Sequence, residues 1–307
     1  MQFKIPEIDR KAVEELKEKS LKEIYSDKEF KQFIDSNEIP LRIVQQNISR
    51  FLRVIKDRKL CENCPGIDKC KKKMGHLCLS LTYDSDYERI DNSIVVCPKA
   101  ELREKLKKRY IFSEFNENML DFTFKEAGLK FGEERKEFIK YCTGDFKEQL
   151  ISNKNPRGVF LSGDSRKGKT HLAVLLTKLV INYSNKMIAF IDSLNHINQL
   201  NNALYNDKDY FEKQMEVLKN IDVLVFDDFG SEFKSDFIRD NIILPLLTYR
   251  AAKGLTTIFT SGYTLDEIKT MYSTSRANEV KAKRIYEAID KLTYKFDFRG
   301  LPYPDSI

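Results

Sequence analysis

One eight-residue segment has the residue types and spacing of a phosphate-binding loop. The segment GDSRKGKT, Gly163–Thr170, matches the pattern G-x-x-x-x-G-K-T, with the apolar run VFLS before it and the helix-like HLAVLLTKLV after it. Glycines let the backbone amides converge on an anion, and the N-terminus of the following helix adds positive potential. We expect Lys169 to bridge the β- and γ-phosphates and the Thr170 hydroxyl to bind Mg²⁺. The predicted ligand is therefore ATP with Mg²⁺.

A second apolar run, VLVFDD at residues 223–228, ends in two acids. An acid at the carboxyl end of a buried strand lies in the crevice where parallel sheets bind ligands. Asp227 is therefore predicted as a direct or indirect Mg²⁺ ligand, and Asp228 as the acid that polarises the attacking water. His171 is either a nucleotide contact or a packing residue. The full set of predicted nucleotide contacts is Gly163, Asp164, Ser165, Arg166, Lys167, Gly168, Lys169, Thr170, His171 and Asp227.

Five of the six cysteines lie within one short stretch, which is typical of a metal site in a reducing compartment. The potential zinc ligands are Cys61, Cys64, Cys70, His76, Cys78 and Cys97. Four ligands complete a closed tetrahedral site, and the C-x-x-C pair lets one tight turn present two sulfurs to one ion. No second C-x-x-C follows, so buried free thiols or a redox pair remain alternatives.

The composition predicts a globular protein with no membrane span. Of the 307 residues, 41% are hydrophobic and 33% are charged, and no run approaches the length of apolar residues that a spanning helix needs. The polar N-terminus does not resemble a secretory signal, so we expect a cytoplasmic protein. The net charge of +6 permits contact with nucleic acid without requiring it. The basic segment 99–109 either contacts DNA phosphates or forms a solvated helix face.

Helical spacing over residues 1–50 predicts short amphipathic helices, and strands alternate with helices after residue 134. We predict strands at 158–162, 187–191, 222–226, 256–260 and 293–298. Strands separated by helices imply a parallel sheet with helices on both faces, so the predicted fold class is α/β. The predicted domains are 1–110, helical and zinc-binding, and 134–307, a nucleotide-binding domain, joined by a linker over 111–133.

With the cysteine stretch ahead of the loop, the chain resembles the bacterial helicase loaders of the DnaI type, in the DnaC-like branch of the AAA+ ATPases. The resemblance is strongest over residues 156–300 and weaker over 61–98. It implies an N-terminal zinc domain that binds the hexameric replicative helicase, and an ATPase domain that binds single-stranded DNA and delivers the helicase. For zinc it favours Cys61, Cys64 and Cys97, with either His76 or Cys70 as the fourth ligand.

The resemblance also implies catalytic residues, and the sequence departs from some of them. Arg299 matches the position that senses the γ-phosphate. The loaders usually have Ser-Asn after the fourth strand, where this chain has Gly262, and R-I-x-E-R, where it has Ala288 in place of the second arginine. That arginine completes the neighbouring subunit's site, so Arg284 or Arg276 would have to substitute. We therefore expect tight ATP binding and slow hydrolysis.

Two alternatives compete with an ATP-dependent loader. One is a nucleotide-gated binding module without meaningful hydrolysis, which the missing asparagine and arginine favour. The other is a transposition helper ATPase of the same branch, which the cysteine stretch disfavours. Other primosome proteins and nucleotide-dependent self-association are further expected interactions.

Overall fold

The chain divides into two units, Met1–Leu102 and Arg103–Ile307. The computed structural model describes residues 10–72, 75–125, 136–233, 235–273 and 276–299. The division falls earlier in the chain than the predicted boundary at residue 110. It does so because Tyr110–Ser113 pairs with a strand of the second unit, at the start of the segment predicted as a linker. Part of that segment, residues 126–133, lies outside the described residues.

The first unit packs four helices against a two-stranded antiparallel hairpin. The elements are α1 (Arg10–Ser26), α2 (Lys28–Ser36), α3 (Leu41–Gln46), α4 (Ile48–Lys59), β1 (Leu77–Asp84) and β2 (Arg89–Val96). The predicted short amphipathic helices are confirmed, and their apolar faces form one core with Ile90 of the hairpin. The hairpin was not predicted, because the cysteines at its two ends suggested metal-binding loops instead.

A helix, α5 (Pro98–Lys107), leads into the second unit, whose strands form one six-stranded parallel sheet. The strands are β3 (Tyr110–Ser113), β4 (Gly158–Ser162), β5 (Ile188–Asp192), β6 (Val223–Asp227), β7 (Thr256–Ser261) and β8 (Thr293–Asp297). Their order is β3-β5-β6-β7-β4-β8, and every neighbouring pair is parallel. The predicted parallel sheet is therefore confirmed, with β3 as an additional edge strand.

Helices cover both faces of this sheet. They are α6 (Lys136–Tyr141), α7 (Lys147–Ile151), α8 (Lys169–Tyr183), α9 (Ser193–Asn206), α10 (Lys208–Asn220), α11 (Asp236–Ile238), α12 (Leu244–Lys253), α13 (Leu265–Tyr272) and α14 (Arg276–Leu292). Successive strand residues point to opposite faces. Phe226 thus joins one core and Val225 the other, and all five residues of β4 are buried. Such two-sided burial explains the continuous apolar runs in the sequence.

A buried arginine ties α12 to the edge of the sheet opposite the phosphate-binding loop. Arg250 is fully buried, and its guanidinium donates to the backbone oxygens of Leu218, Ile221 and Thr256 at 2.7–2.9 Å. Burial lowers the pKa of Arg250 to about 9. These bonds satisfy carbonyls around the starts of β6 and β7, so the arginine helps to fix the strands that carry the site.

Within the described residues, no helix is both long and apolar enough to cross a membrane.

Candidate nucleotide-binding site

The phosphate-binding loop connects the end of β4 to the start of α8. Gly163 has φ +144°, and a Cβ added there would come within 2.9 Å of the backbone carbon of Phe298. The amide of Phe298 donates to the Ser162 carbonyl at 2.8 Å, so the segment after β8 packs directly against the loop. Gly168 has φ +76° and caps the N-terminus of α8. Both glycines are therefore required by the backbone, as the motif predicts.

The loop lysine lies inside the loop that it is predicted to help form. Lys169 is 6% exposed, and its Nζ donates to the carbonyls of Gly163 and Asp164 at 2.8 Å each. The ammonium is thus held at the mouth of a ring of backbone amides at a helix N-terminus, which is an arrangement that binds polyphosphates. The geometry fits the predicted contact with the β- and γ-phosphates.

Three side chains meet at the carboxyl ends of β6 and β7. The Thr170 hydroxyl donates to the Asp227 carboxylate, with oxygen–oxygen distances of 3.0 and 3.1 Å. The fully buried Thr260 donates from its hydroxyl to Oδ1 of Asp227 at 2.6 Å. A carboxylate beside a loop threonine is the pair of oxygen ligands that P-loop proteins offer to Mg²⁺. The residues present therefore fit a magnesium ion bound with nucleotide phosphate.

The pKa of the Asp227 carboxyl group lies above its ordinary value. Burial raises its pKa from the ordinary 3.8 to about 6, and the nearby Asp228 and Asp192 raise it further, while the hydroxyls of Thr260 and Thr170 oppose the shift. Desolvation of the charged form is the dominant cause. A bound divalent cation would compensate this buried negative charge, so the site favours cation binding.

Asp228 projects from the sheet at a strained backbone position. Its φ is +52°, its side chain is exposed, and its amide donates to the Thr260 hydroxyl at 2.9 Å. The predicted role of Asp228 in orienting a water requires such an exposed side chain. At the end of β7, the Ser261 hydroxyl donates to the Phe229 carbonyl. Gly262 follows with open space around it, since a Cβ added there meets no atom within 4 Å.

The predicted catalytic arginines Arg299 and Arg284 lie in two different environments. Arg299 is exposed and pairs with Asp297, with an NH2–Oδ2 distance of 2.7 Å. Those bonds raise the pKa of Arg299, and the charges of Glu267 and Asp164 also contribute. Arg284 is exposed on α14, and no hydrogen bond or ion pair among the described residues joins it to the loop. Ala288, where the loaders usually have an arginine, is buried in the core.

His171, the first residue after the motif, packs beside the loop's helix. Its ring contacts the Phe122 ring edge-on, at a centroid distance of 5.2 Å. The segment that contains Phe122 is held in place by Lys178, whose Nζ donates to the carbonyls of Leu120 and Phe122 at 2.6 Å. A packing role for His171 is thus visible.

The predicted zinc ligands lie around the hairpin of the first unit. All five cysteines there are free thiols: Cys61 is exposed, and Cys64, Cys70, Cys78 and Cys97 are partly buried. Nε2 of His76 lies 3.0 Å from the Ile67 carbonyl, and the Cys70 thiol lies 3.5 Å from the Gly75 carbonyl. In the described part of the chain, no three His, Cys, Asp or Glu side chains form a metal-binding group. Lys73 and Met74 lie outside it.

The structure draws attention to Cys78, which the preferred set of zinc ligands omitted. Burial raises the pKa of the Cys78 thiol, the neighbouring Lys72 lowers it, and Cys97 and Cys61 act on it as nearby acidic groups. Lys72 is buried and pairs with Asp57. Because Leu77 pairs with Val96, the hairpin brings Cys78 close to Cys97. The sequence alone did not reveal the position of Cys78, because that position depends on the pairing of Cys78 on β1 with Val95 on β2.

Comparison with known proteins agrees with this site. A family model described as IstB-like ATP binding protein matches residues 146–293, which contain the phosphate-binding loop and Asp227. The replicative helicase loader DnaI of Bacillus subtilis (strain 168) is 25% identical over 289 residues, which are 91% of this chain and 89% of that protein. The chain resembles the DnaI-type helicase loaders. The resemblance drawn from its motifs is thus confirmed.

A crystal structure of DnaI shares the fold. It is 22% identical, covers 65% of this chain and 99% of its own, and superimposes with a TM-score of 0.52. The ATP-binding AAA+ type of the second unit is therefore supported by sequence and fold together, whereas a zinc-binding fold of the first unit is not shown.

Proposed function

We propose that the chain is a loader of the replicative DNA helicase, with ATP binding at residues 163–170 controlling how it holds and releases its partner. The observation that carries the proposal is the extent of the match to the helicase loader DnaI, which covers 91% of the chain and therefore both units. The IstB-like model, by contrast, matches 146–293 and none of the first unit. The loader is thus favoured over a transposition helper.

In this proposal the first unit, with residues up to 110, binds a hexameric replicative helicase in the cytoplasm. The second unit, from residue 134, binds ATP and single-stranded DNA. Other primosome proteins and a second copy of the chain are further proposed partners. Four of Cys61, Cys64, Cys70, His76 and Cys97 would hold a structural zinc ion, and Cys78 is an additional candidate because the hairpin brings it close to Cys97.

The chemistry at the loop is a weak ATPase. Lys169 would bind the β- and γ-phosphates, and Thr170 and Asp227 would hold Mg²⁺, which neutralises charge on the phosphates. Asp228 would orient the attacking water, and Arg299 would contact the γ-phosphate after leaving Asp297. Without an asparagine at Gly262 and an arginine at Ala288, turnover would be slow.

The proposal is tested by mixing the full chain with its host's replicative helicase, with and without Mg²⁺-ATP, and weighing the assemblies by native mass spectrometry. We expect a stoichiometric complex whose lifetime depends on ATP. Lys169→Ala should bind the helicase without responding to ATP. Failure of the wild-type chain to bind the helicase under both conditions would contradict the loader function.

Zinc is tested separately on the same sample. We expect about one zinc per chain by elemental analysis, and loss of that zinc in Cys61→Ser and Cys97→Ser but not in Cys142→Ser, since Cys142 is buried in the second unit. Zinc at background level in the wild-type chain would contradict a structural zinc site.

A further inference from the structure

The middle of the phosphate-binding loop carries an arginine in a conformation that favours glycine. Arg166 has φ +62°, in the left-handed region, and its side chain is exposed. A residue with a Cβ is strained in that region, so glycine would satisfy the backbone better. An arginine at such a position needs a reason other than the fold of the loop.

The Arg166 guanidinium also has no hydrogen-bond or ion-pair partner among the described residues. Arg299, the other arginine near the loop, is bound to Asp297 through both Nε and NH2. The Lys169 ammonium is bound to two loop carbonyls. Arg166 is therefore an exposed cation within the loop that no described residue engages.

We infer that Arg166 is a catalytic residue: its guanidinium binds the γ-phosphate of ATP held in its own loop and stabilises the charge that develops during hydrolysis. The inference rests on the proposed ATPase and deepens it. Arginine presents several donors in a planar fork that matches phosphate oxygens, and it stays charged at all working pH values. It would supply within one chain the charge that the buried Ala288 does not supply between chains.

Hydrolysis of ATP at this site would consume one water molecule. The oxygen of a water forms a bond to the γ-phosphorus, and the bond from that phosphorus to the β–γ bridging oxygen breaks, so ADP leaves. One proton of the water stays on inorganic phosphate, and the other passes to Asp228 and then to solvent. Negative charge grows on the bridging and γ-oxygens in the transition state, which is where a donor lowers the barrier.

Arg166→Gly separates this role from a structural one. Glycine relieves the left-handed strain, so the variant should unfold at the same temperature as the wild-type chain or higher. Removing one transition-state donor should nevertheless lower kcat by about 10²–10³-fold, with KM changed by about twofold or less. Arg166→Lys keeps the charge without the fork and should lie between the two. A purely structural role predicts that glycine preserves kcat.

Asn153→Gly is the matched control. Asn153 is exposed in the second unit with φ +54°, away from the loop, so glycine there relieves similar strain without removing a cation. We expect it to leave kcat unchanged. Turnover per chain should also be independent of protein concentration in the wild-type protein, because an arginine acting in its own loop needs no neighbour. Turnover that rises in proportion to concentration would overturn the inference.

A second readout covers a wild-type chain that turns over too slowly to follow. ADP with Mg²⁺ and aluminium fluoride resembles the transferring phosphoryl group, and it should bind the wild-type chain at least tenfold more tightly than ADP with Mg²⁺ alone. Arg166→Gly should lose most of that difference while binding ADP normally. Equal enhancement in both proteins would refute the role of Arg166. Absence of any nucleotide binding by the wild-type chain would instead refute the proposed ATPase.

Discussion

The negative charge of the buried Asp227 carboxylate is expected to lower the folding stability of the protein when no cation is bound. Its pKa is raised by burial from 3.8 to about 6, a difference of about 2, and each pKa unit corresponds to about 1.4 kcal/mol. Ionised Asp227 therefore costs about 3 kcal/mol of folding free energy above pH 7. The cost disappears as pH falls toward 3.8, because the carboxyl group is then protonated in both folded and unfolded chains.

Asp227→Asn should recover this free energy. The amide oxygen can still accept from the hydroxyls of Thr170 and Thr260. We expect the variant to be more stable than the wild-type chain by up to about 3 kcal/mol at pH 7.5 and by about half of that at pH 5. Mg²⁺-dependent ATP binding should be lost at both pH values, because the amide cannot replace a charged ligand.

The assay is urea unfolding followed by circular dichroism, without nucleotide and with chelator, across pH 5 to 8. Asp228→Asn is the control, since that side chain is exposed and its amide substitution should change stability by less than about 0.5 kcal/mol. A gain for Asp227→Asn that is equal at pH 5 and pH 7.5, or a loss of stability at pH 7.5, would refute the account of the buried charge.

Three further predictions follow from the same geometry. Thr260→Val leaves the partly buried amide of Asp228 without its acceptor. We expect it to lower the free energy of unfolding by about 1–3 kcal/mol and to weaken Mg²⁺ binding, and Thr260→Ser should restore both in denaturation and calorimetry. Arg250→Met leaves several buried carbonyls without a hydrogen-bond donor, so it should lower the free energy of unfolding in urea by about 3 kcal/mol or more. A decrease under about 1 kcal/mol would be inconsistent with the bonds described. Gly262→Asn meets open space, so it should leave stability unchanged and raise ATP turnover by about tenfold or more; unchanged turnover would exclude a water-orienting role at that position.

The sequence predicts the parts of this protein whose signals are local. Gly158–Ser162 is a five-residue apolar run before a glycine-rich loop, and Lys169–Tyr183 has a helix's spacing, so strand, loop and helix were all predictable. Asp227 was predictable because an acid at the end of a buried strand is conspicuous. The edge strand Tyr110–Ser113 was missed because four half-exposed residues carry little pattern of their own.

Contacts that depend on strand register were beyond the sequence. Thr260 and Asp227 are 33 positions apart in the chain, and they meet because β6 and β7 are neighbours in the sheet. Cys78 lies close to Cys97 because of the hairpin that β1 forms with β2. The burial of Arg250 could not be predicted from the sequence either, since a charged residue near a helix end is normally exposed to solvent.

Residues 163–170 are expected to bind a nucleotide together with Mg²⁺. Isothermal titration calorimetry of the full chain with a slowly hydrolysed ATP analogue, with Mg²⁺ and then with chelator, tests it most directly. We predict saturation at one nucleotide per chain, at least tenfold weaker binding without Mg²⁺, and no detectable binding by Lys169→Ala. Absence of saturation in the wild-type chain, or equal affinity for wild type and Lys169→Ala, would contradict the claim.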